Sequence, residues 1–230
     1  MNELLRTDMG IYVLREDTHL SCWIENANAL GVGCHEIRQY AKHIPEGGVV
    51  IDAGACLGDH VAPFAHLVGP LGRVFAFEPM PATYEALCKN TAIYKNVSAT
   101  RMALGREHRT AFMRENQNIG ASAIDEGGDV QVRSTTLDAY FLPPLRRCDF
   151  IHLDAEGSEP DILRGARKLL EDFKPTLALE ICARHLARQG ESEESLRSLL
   201  KQLGYIVQEL GSPYAPERNV LCIHPGRAAA

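Results

Sequence analysis

One stretch, residues 49–58, constrains the fold of this chain more than any other. It reads Val-Val-Ile-Asp-Ala-Gly-Ala-Cys-Leu-Gly, an apolar run that ends in an acid and a turn with two glycines. A short apolar run bounded by turn residues is typical of a buried parallel strand. Four apolar residues that follow have the spacing of one helix face: Val61, Phe64, Ala65 and Val68. The stretch therefore predicts a strand, a tight loop and a helix.

The loop in this stretch is suited to hold a small molecule. Gly54 and Gly58 allow close approach of a ligand to bare backbone, and the start of the helix offers unpaired N–H groups. Asp52, at the predicted end of the strand, can accept hydrogen bonds from loop amides or from a cationic ligand, which a phosphate-binding loop would not favour. The pattern Asp-x-Gly-x-x-x-Gly differs from the dinucleotide-binding pattern Gly-x-Gly-x-x-Gly and from a P-loop. The alternative is a plain turn whose glycines serve only packing.

The composition fits one globular α/β domain. The 230 residues are 45% hydrophobic and 23% charged, as in soluble proteins. The net charge is −6 and the lysines and arginines are scattered, so we do not expect nucleic acid as a substrate. No apolar run approaches the length of a membrane span, and residues 1–10 lack the apolar core of a signal peptide. We therefore expect a cytoplasmic protein without a membrane partner.

The alternation of predicted strands and helices indicates a Rossmann-like α/β fold. Five strands that alternate with helices, followed by a hairpin, predict a mostly parallel sheet with helices on both faces and an antiparallel edge hairpin. Two further short strands, at 111–113 and 130–134, are expected to be antiparallel. The main domain is expected to span 47–225, after an N-terminal cap at 1–46 and before a disordered tail at 226–230.

The predicted cap contains two strands and a helix. The strands are expected at 11–14 and 19–24, and the helix at 34–43, ending before Pro45. The seven cysteines of the chain are an odd number without C-x-x-C spacing, so we interpret them as reduced thiols rather than as disulfides or zinc ligands.

Acidic residues follow several predicted strands. Glu78 ends the second strand, about twenty residues after the glycine loop, where open α/β folds place the group that binds a ribose. The alternative for Glu78 is a charge that stabilises the start of the next helix. Asp154 follows the fourth strand, and the carboxyl ends of strands border the ligand crevice in such sheets. We therefore expect Asp154 to face the site.

The residues after Asp154 predict the start of a helix. The sequence at 158–161, Ser-Glu-Pro-Asp, fits a capping box with proline in the first turn. Glu159 and Asp161 are interpreted as charges at the N-terminus of this helix. Its buried face is expected to contain Ile162, Ala166, Leu169 and Leu170.

Five segments together resemble the FkbM family of S-adenosylmethionine-dependent methyltransferases. They are residues 51–58, 76–79, 118–122, 136–138 and 153–159. The resemblance implies the class I methyltransferase sheet, S-adenosylmethionine in the crevice, and methyl transfer to a hydroxyl of a small molecule, either a sugar or a polyketide-like natural product. The absence of the motifs of base, glutamine and cytosine-C5 methyltransferases also favours oxygen as the methyl acceptor.

The resemblance also implies roles for individual residues. The glycine loop would contact the methionine portion of the cofactor through Asp52, Gly54, Ala55, Cys56, Leu57 and Gly58. The ribose would be bound by Glu78 beside Pro79, and the adenine by Ala103 and Leu104. The segments 118–122, with Asn118 and Ser122, and 154–159 would close the site from the substrate side.

The sequence departs from the usual family pattern at three positions. Cys56 and Leu57 stand where the family usually has Asn and Ile, and His152 stands where a Lys commonly precedes the equivalent of Asp154. The change at Cys56 is expected to affect only the packing of the loop. We expect His152, in the middle of a strand, to be a packed core residue rather than a base.

The catalytic residues and a metal remain open at this point. Asp154 is the first candidate for the general base, with Glu180 and His185 in reserve. Asp154, Glu156 and Glu180 are also candidate oxygen ligands of a divalent metal ion, although hydrogen bonds from loop amides explain these acids equally well.

Other functions and assemblies stay open as well. A nicotinamide-dependent Rossmann-fold oxidoreductase shares the ribose-binding acid but should show the tighter glycine pattern. A non-catalytic cofactor-binding scaffold is a further alternative, and so is assembly of the chain as a homodimer.

Overall fold

The computed structural model describes residues 3–7, 11–15, 17, 21, 37–114, 122–143, 145–210 and 218–227. The strands are β1 (Leu4–Arg6), β2 (Tyr12–Leu14), β3 (Val49–Ala53), β4 (Arg73–Phe77), β5 (Val97–Thr100), β6 (Ala103–Leu104), β7 (Arg109–Met113), β8 (Val130–Thr135), β9 (Phe150–Leu153), β10 (Thr176–Ile181), β11 (Ile206–Leu210) and β12 (Arg218–Ile223). The helices are α1 (Ile37–Tyr40), α2 (Val61–Val68), α3 (Pro81–Thr91), α4 (Leu137–Tyr140), α5 (Glu159–Arg164), α6 (Arg167–Phe173), α7 (Ala183–Arg188) and α8 (Glu193–Gln202), and a 3-10 turn at Ala41–His43 follows α1.

A seven-stranded sheet forms the centre of the fold, in the order β11-β12-β10-β9-β3-β4-β5. The pairings among β10, β9, β3, β4 and β5 are parallel, whereas β12 is antiparallel to both of its neighbours. The predicted mostly parallel sheet with an edge hairpin is therefore confirmed. Within the hairpin, β11 is the edge strand and the antiparallel strand β12 lies one position inside it.

The central strands are buried on both faces because helices cover each side of the sheet. Successive residues of a strand point to opposite faces, and β3 follows this rule. Ile51 and Ala53 belong to the apolar cluster on one side, which also contains Leu153. Val50 packs on the other side with Phe64 of α2. The four helix residues predicted from the spacing after the glycine loop are all buried.

A second, three-stranded sheet has the order β6-β8-β7. The antiparallel pairing predicted for 111–113 and 130–134 is confirmed by β7 and β8, and β6 joins β8 in parallel. Ala103, Ala111, Met113 and Val132 from this sheet form an apolar cluster with Met80. This cluster contributes one wall of the cavity described below.

The segment after β9 forms two helices, α5 and α6, instead of the predicted single helix. The prediction of a capping box at its start is also wrong. Ser158 makes no side-chain cap hydrogen bond. The break lies at Gly165, where a Cβ would come within 2.1 Å of the carbonyl oxygen of Gly105. Asp138 caps the second helix, because its carboxylate accepts hydrogen bonds of 2.9 Å from the amides of Lys168 and Leu169. The four predicted core residues are nevertheless buried.

The N-terminal cap is described only in part. Residues 22–36 lie outside the described residues, so most of the predicted strand at 19–24 and the predicted start of the helix at 34–36 cannot be compared. The predicted strand at 11–14 corresponds to β2, and β1, which was not predicted, pairs with it. In the predicted tail, Arg227 bonds to Thr176, and residues 228–230 lie outside the described part. No helix within the described ranges is long and apolar enough to cross a bilayer.

Asn90 of α3 attaches the N-terminal hairpin to the glycine loop. Its carboxamide oxygen accepts a hydrogen bond from the amide of Tyr12 at 2.7 Å. Its nitrogen donates to the carbonyl oxygens of Tyr12 and Leu57, both at 2.9 Å. The side chain therefore pairs with the backbone of Tyr12 as a neighbouring strand would. It also binds the loop that follows β3.

We predict that Asn90→Ala lowers the free energy of unfolding by about 2 kcal/mol or more, because three backbone groups lose their partner at a site with little access to water. Urea unfolding measures the change. The control is Gln202→Ala at the exposed end of α8, which should change stability by less than about 0.5 kcal/mol. Equal effects of the two variants would contradict the role of Asn90.

Candidate functional site

The carboxyl ends of β3, β4 and β9 open onto one cavity. This is the edge at which open parallel sheets bind their ligands. We call it the donor cavity, because the family resemblance implies that a methyl donor binds in this crevice. Its lining residues are Ala53, Gly54, Cys56, Phe77, Glu78, Pro79, Met102, Ala103, Leu104, Met113, Ser122, Ala123, Ile124, Asp154, Ala155, Glu156, Ser158 and Ile162. The lining combines backbone and carboxylate groups from the strand ends with apolar side chains from the smaller sheet.

Gly54 brings the loops after β3 and β9 into contact. Its φ is 88°, and a Cβ at this position would lie 1.8 Å from the carbonyl oxygen of Asp154. The amides of Gly54 and Ala55 both donate to the carbonyl oxygen of Phe77 at 3.0 Å. The glycine loop is thus fixed against both neighbouring strands, and only glycine fits at position 54.

Gly58 has a different role. Its φ is 91°, but the space where a Cβ would stand faces α3, 2.9 Å from the side chain of Leu87. Leu57, just before it, is completely buried in the cluster beneath the N-terminal hairpin. The packing alternative considered for the glycines therefore describes Gly58, whereas Gly54 borders the donor cavity.

Glu78 connects the glycine loop to the start of α3. One carboxylate oxygen accepts a hydrogen bond from the amide of Cys56 at 3.0 Å. The other accepts from the amide of Met80 and the hydroxyl of Thr83, both at 2.8 Å. Burial raises the pKa of Glu78 above its usual value. The side chain is thus held in a fixed position while it lines the cavity.

Glu159 holds the loop after β9. The residue is 2% exposed, and its carboxylate accepts hydrogen bonds from the amides of Ala155 at 2.9 Å and Gly157 at 3.3 Å. Burial raises the pKa of Glu159 to about 7. Glu159 is therefore more than a charge at the helix N-terminus, since it organises the loop that carries Asp154 and Glu156.

Carboxyl groups cluster where this loop meets the end of β10. Burial raises the pKa of Asp154 well above its usual range, and the negative charges of Glu180 and Glu156 raise it further. Nδ1 of His185 lies 2.6 Å from the carboxylate of Glu156 and 3.8 Å from that of Glu180. The proximity of these two glutamates raises the pKa of His185 to about 10. Asp154 is the member of the cluster best placed to gain or release a proton at the cavity.

The arrangement needed for the proposed metal is not found. Among the described residues, no group of three or more His, Cys, Asp or Glu side chains is placed to hold a metal ion.

Asp52 does not line the donor cavity, contrary to expectation. β3 continues to Ala53, so Asp52 lies within the strand and on the face opposite to Ala53. It is fully buried, and its carboxylate lies 2.7 Å from Nδ1 of His152 on the neighbouring strand. His152 is stacked on His60 with ring centres 4.4 Å apart. The expectation that His152 is a packed core residue agrees with this location.

The predicted site residues fall into three groups. Those that line the donor cavity are Gly54, Cys56, Glu78, Pro79, Ala103, Leu104, Ser122 and Asp154. Those that do not line it are Asp52, Ala55, Leu57, Gly58, Glu180 and His185. Asn118 lies outside the described residues. Their roles toward a cofactor or in catalysis stay predictions, but the cavity brings the first group together.

The sequence did not indicate the apolar wall of the cavity. Met102, Met113 and Ile124 line it, and none of them belongs to a motif used above. For Met113 a signal was available: the alternation along β7 buries Ala111 and Met113 and exposes Phe112. The position of this buried face beside Glu78 depends on how the smaller sheet packs on the larger one.

Comparison with known proteins agrees with the fold. The profile of the methyltransferase FkbM domain matches residues 52–207. The chain is 24% identical over 210 residues to Methyltransferase 1 of Beauveria bassiana, and the alignment covers 80% of each protein.

Solved structures share the architecture at low identity. A methyltransferase FkbM from Methylobacillus flagellatus has a TM-score of 0.54 at 18% identity, and the match covers 77% of this chain but 44% of that one. The chain thus spans less than half the length of that protein. A SAM-dependent O-methyltransferase from Thermotoga maritima has a TM-score of 0.53 at 15% identity, with 100% and 80% of the two chains covered. These likenesses show the class I methyltransferase fold.

We predict that Glu159→Gln weakens the dependence of stability on pH. The pKa of Glu159 is raised from 4.5 to about 7 in the folded protein, so the protonated group stabilises the fold below pH 4.5 and this contribution is lost as the pH rises through 7. Glutamine keeps the acceptor for the two loop amides but carries no charge. Between pH 5 and pH 8, wild-type stability should fall relative to the variant by on the order of 2 kcal/mol in urea unfolding.

The control for this comparison is Glu171→Gln, which removes an exposed carboxylate from α6. Its stability should follow the wild-type pH profile. A profile of Glu159→Gln that runs parallel to the wild type would show that the buried carboxylate does not titrate in this range.

Proposed function

The chain belongs to the FkbM methyltransferase family, and on this premise we propose that it transfers the methyl group of S-adenosylmethionine to a hydroxyl oxygen of a small molecule, a sugar or a polyketide-like natural product. The observation that carries the proposal is the donor cavity, in which Gly54, Glu78 and Asp154 meet at the ends of three parallel strands. The cytoplasmic location and a homodimer stay predictions.

The lining of the cavity fits this cofactor. The fixed carboxylate of Glu78 offers acceptor oxygens for the hydroxyls of a ribose. Met102, Ala103 and Leu104 offer an apolar surface for an adenine ring, and the bare backbone of Gly54 admits the methionine portion. When bound, S-adenosylmethionine supplies an electrophilic methyl group on a positively charged sulfur.

The contribution of the protein is then alignment and proton removal. The rigid strand ends hold the reacting groups in position, which lowers the barrier by removing their freedom of motion. A base must accept the hydroxyl proton as the new bond forms. Asp154 is the candidate that lines the cavity, and the neighbouring Glu156 and Glu180 increase its affinity for a proton. His185 is 3% exposed and lies against Glu156, which suits it better to positioning.

The alternatives from the sequence are less well supported. Membership of a methyltransferase family argues against a nicotinamide-dependent oxidoreductase. Asp154 favours a catalytic site over a non-catalytic scaffold, because it lines the cavity beside Glu156 and has a raised pKa, and such groups cluster at sites of proton transfer.

We predict that the protein binds S-adenosylhomocysteine in titration calorimetry and that NADH does not displace it. Glu78→Gln should weaken this binding about tenfold or more, because a charge-assisted hydrogen bond to the ribose is lost. The matched control is Glu85→Gln on α3, the helix that follows Glu78. Its side chain is 61% exposed, and the affinity of this variant should equal that of the wild type. Displacement by NADH would contradict the cofactor, and full affinity of Glu78→Gln would contradict the ribose contact.

We predict that Asp154→Asn lowers kcat by about 100-fold or more and leaves the affinity for S-adenosylhomocysteine nearly unchanged, as expected for loss of a general base. The acceptor for this assay comes from a screen of glycosides and phenols with labelled cofactor. The rate is measured from the formation of labelled product. Asp172→Asn, an exposed change on α6, is the control. A rate near the wild-type value in Asp154→Asn would move the role to Glu180 or His185, which the variants Glu180→Gln and His185→Gln then distinguish.

A further inference from the structure

A second cavity adjoins the donor cavity. The two share Ala123 and Ile124, and three arginines line the second one: Arg109, Arg114 and Arg188. We propose that this arginine cavity binds a negatively charged group of the methyl acceptor, a carboxylate, sulfate or phosphate. The inference rests on the proposed function, because it takes the neighbouring cavity as the site of the methyl donor.

Strand β7 connects the two cavities. Alternate residues of a strand share a face, so Arg109, Ala111 and Met113 lie on the same face of β7. Met113 lines the donor cavity and Arg109 lines the arginine cavity. An acceptor that lies along this face presents its hydroxyl to the methyl donor and its charged group to Arg109.

The walls of the arginine cavity are fixed to each other. Ile124 forms a β-bridge with Met113 at the end of β7, and its carbonyl oxygen accepts a hydrogen bond of 2.8 Å from the side chain of Gln189. Gln189 directly follows Arg188 at the end of α7. Arg109 and Arg188 therefore come from two elements that are linked through Ile124, and a site organised before binding loses less entropy when the ligand binds.

The lining of the arginine cavity carries more positive than negative charge, with three arginines and two acids. Arg114 is occupied, since it lies 2.9 Å from the carboxylate of Asp125 and donates to the carbonyl oxygen of Gly127 at 3.0 Å. The hydrogen bond from Arg114 lowers the pKa of Asp125, and the charge of Arg188 lowers it further. Asp125 is therefore satisfied by Arg114, and Glu126 is the other acid of the lining.

Arg109 and Arg188 remain for a ligand. Arg109 has a distant partner, Glu107 at 3.9 Å. For Arg188, no carboxylate of the described part of the chain lies within 4.0 Å. A guanidinium group binds carboxylate and phosphate oxygens in pairs and stays charged at any physiological pH. The chain as a whole has a net charge of −6, which repels anions at long range. These two arginines provide a local attraction for an anionic acceptor.

The experiment compares two probes that differ by one carboxylate: p-nitrophenyl β-D-glucuronide and p-nitrophenyl β-D-glucoside. Each is titrated into the protein saturated with S-adenosylhomocysteine. We expect the glucuronide to bind at least about tenfold more tightly than the glucoside, the gain of a charge-assisted hydrogen bond. The double variant R109Q/R188Q should bind the two probes with equal affinity.

The matched control is R146Q/R167Q, which removes two positive charges at exposed positions outside both cavities and should keep the preference. Equal binding of the two probes by the wild type, binding of neither, or a preference that persists in R109Q/R188Q would overturn the inference. A preceding titration with S-adenosylhomocysteine separates the two proposals. If the protein does not bind S-adenosylhomocysteine, the proposed methyl donor is contradicted. If it binds S-adenosylhomocysteine but does not discriminate between the two probes, the proposal for the arginine cavity is contradicted.

Discussion

The parallel pairing of β3 with β9 determines the geometry of the whole crevice. Ala53 is paired with Leu153, and the amide of Asp154 still donates to the carbonyl oxygen of Ala53 at 3.0 Å. The backbone of Asp154 therefore packs against Gly54, where only glycine leaves room. One ladder of hydrogen bonds thus fixes the glycine loop that borders the donor cavity relative to the loop that carries the proposed base. The contact between Asp52 and His152 joins the same two strands on the opposite face.

Local environment gives each acid near the crevice a different task. Glu159 accepts hydrogen bonds from loop amides, Glu156 lies against His185, and Glu78 links the loops after β3 and β4. Asp154 is surrounded by like charges and lines the cavity. Four carboxylic acids with similar intrinsic chemistry are therefore distinguished by their partners, as expected when burial and neighbouring charges set the proton affinity.

The sequence predicted the order of the elements and the placement of Glu78 and Asp154, because strongly periodic segments and strand ends carry clear patterns. It misplaced Asp52, since β3 runs one residue further than expected and side chains alternate between faces. The break at Gly165 depends on the carbonyl of Gly105, which is distant in the sequence. The wall formed by Met102, Met113 and Ile124 depends on tertiary packing of the smaller sheet. Contacts of this kind between distant residues produce no periodic pattern in a single sequence, so they could not be predicted from it.

The carboxyl cluster at Asp154, Glu156 and Glu180 has a consequence for charge balance. Methyl transfer from a sulfonium to a hydroxyl removes one positive charge from sulfur and releases one proton. A cluster of acids stabilises a single positive charge nearby, whether a sulfonium or a proton carries it. With Asp154 as the proposed base, a cation bound in the cavity would lower the affinity of this carboxylate for a proton. Loss of that positive charge would leave the repulsion from Glu156 and Glu180, which raises the proton affinity again. Under the proposed function, the acids would therefore couple the proton affinity of the base to the charge on the donor.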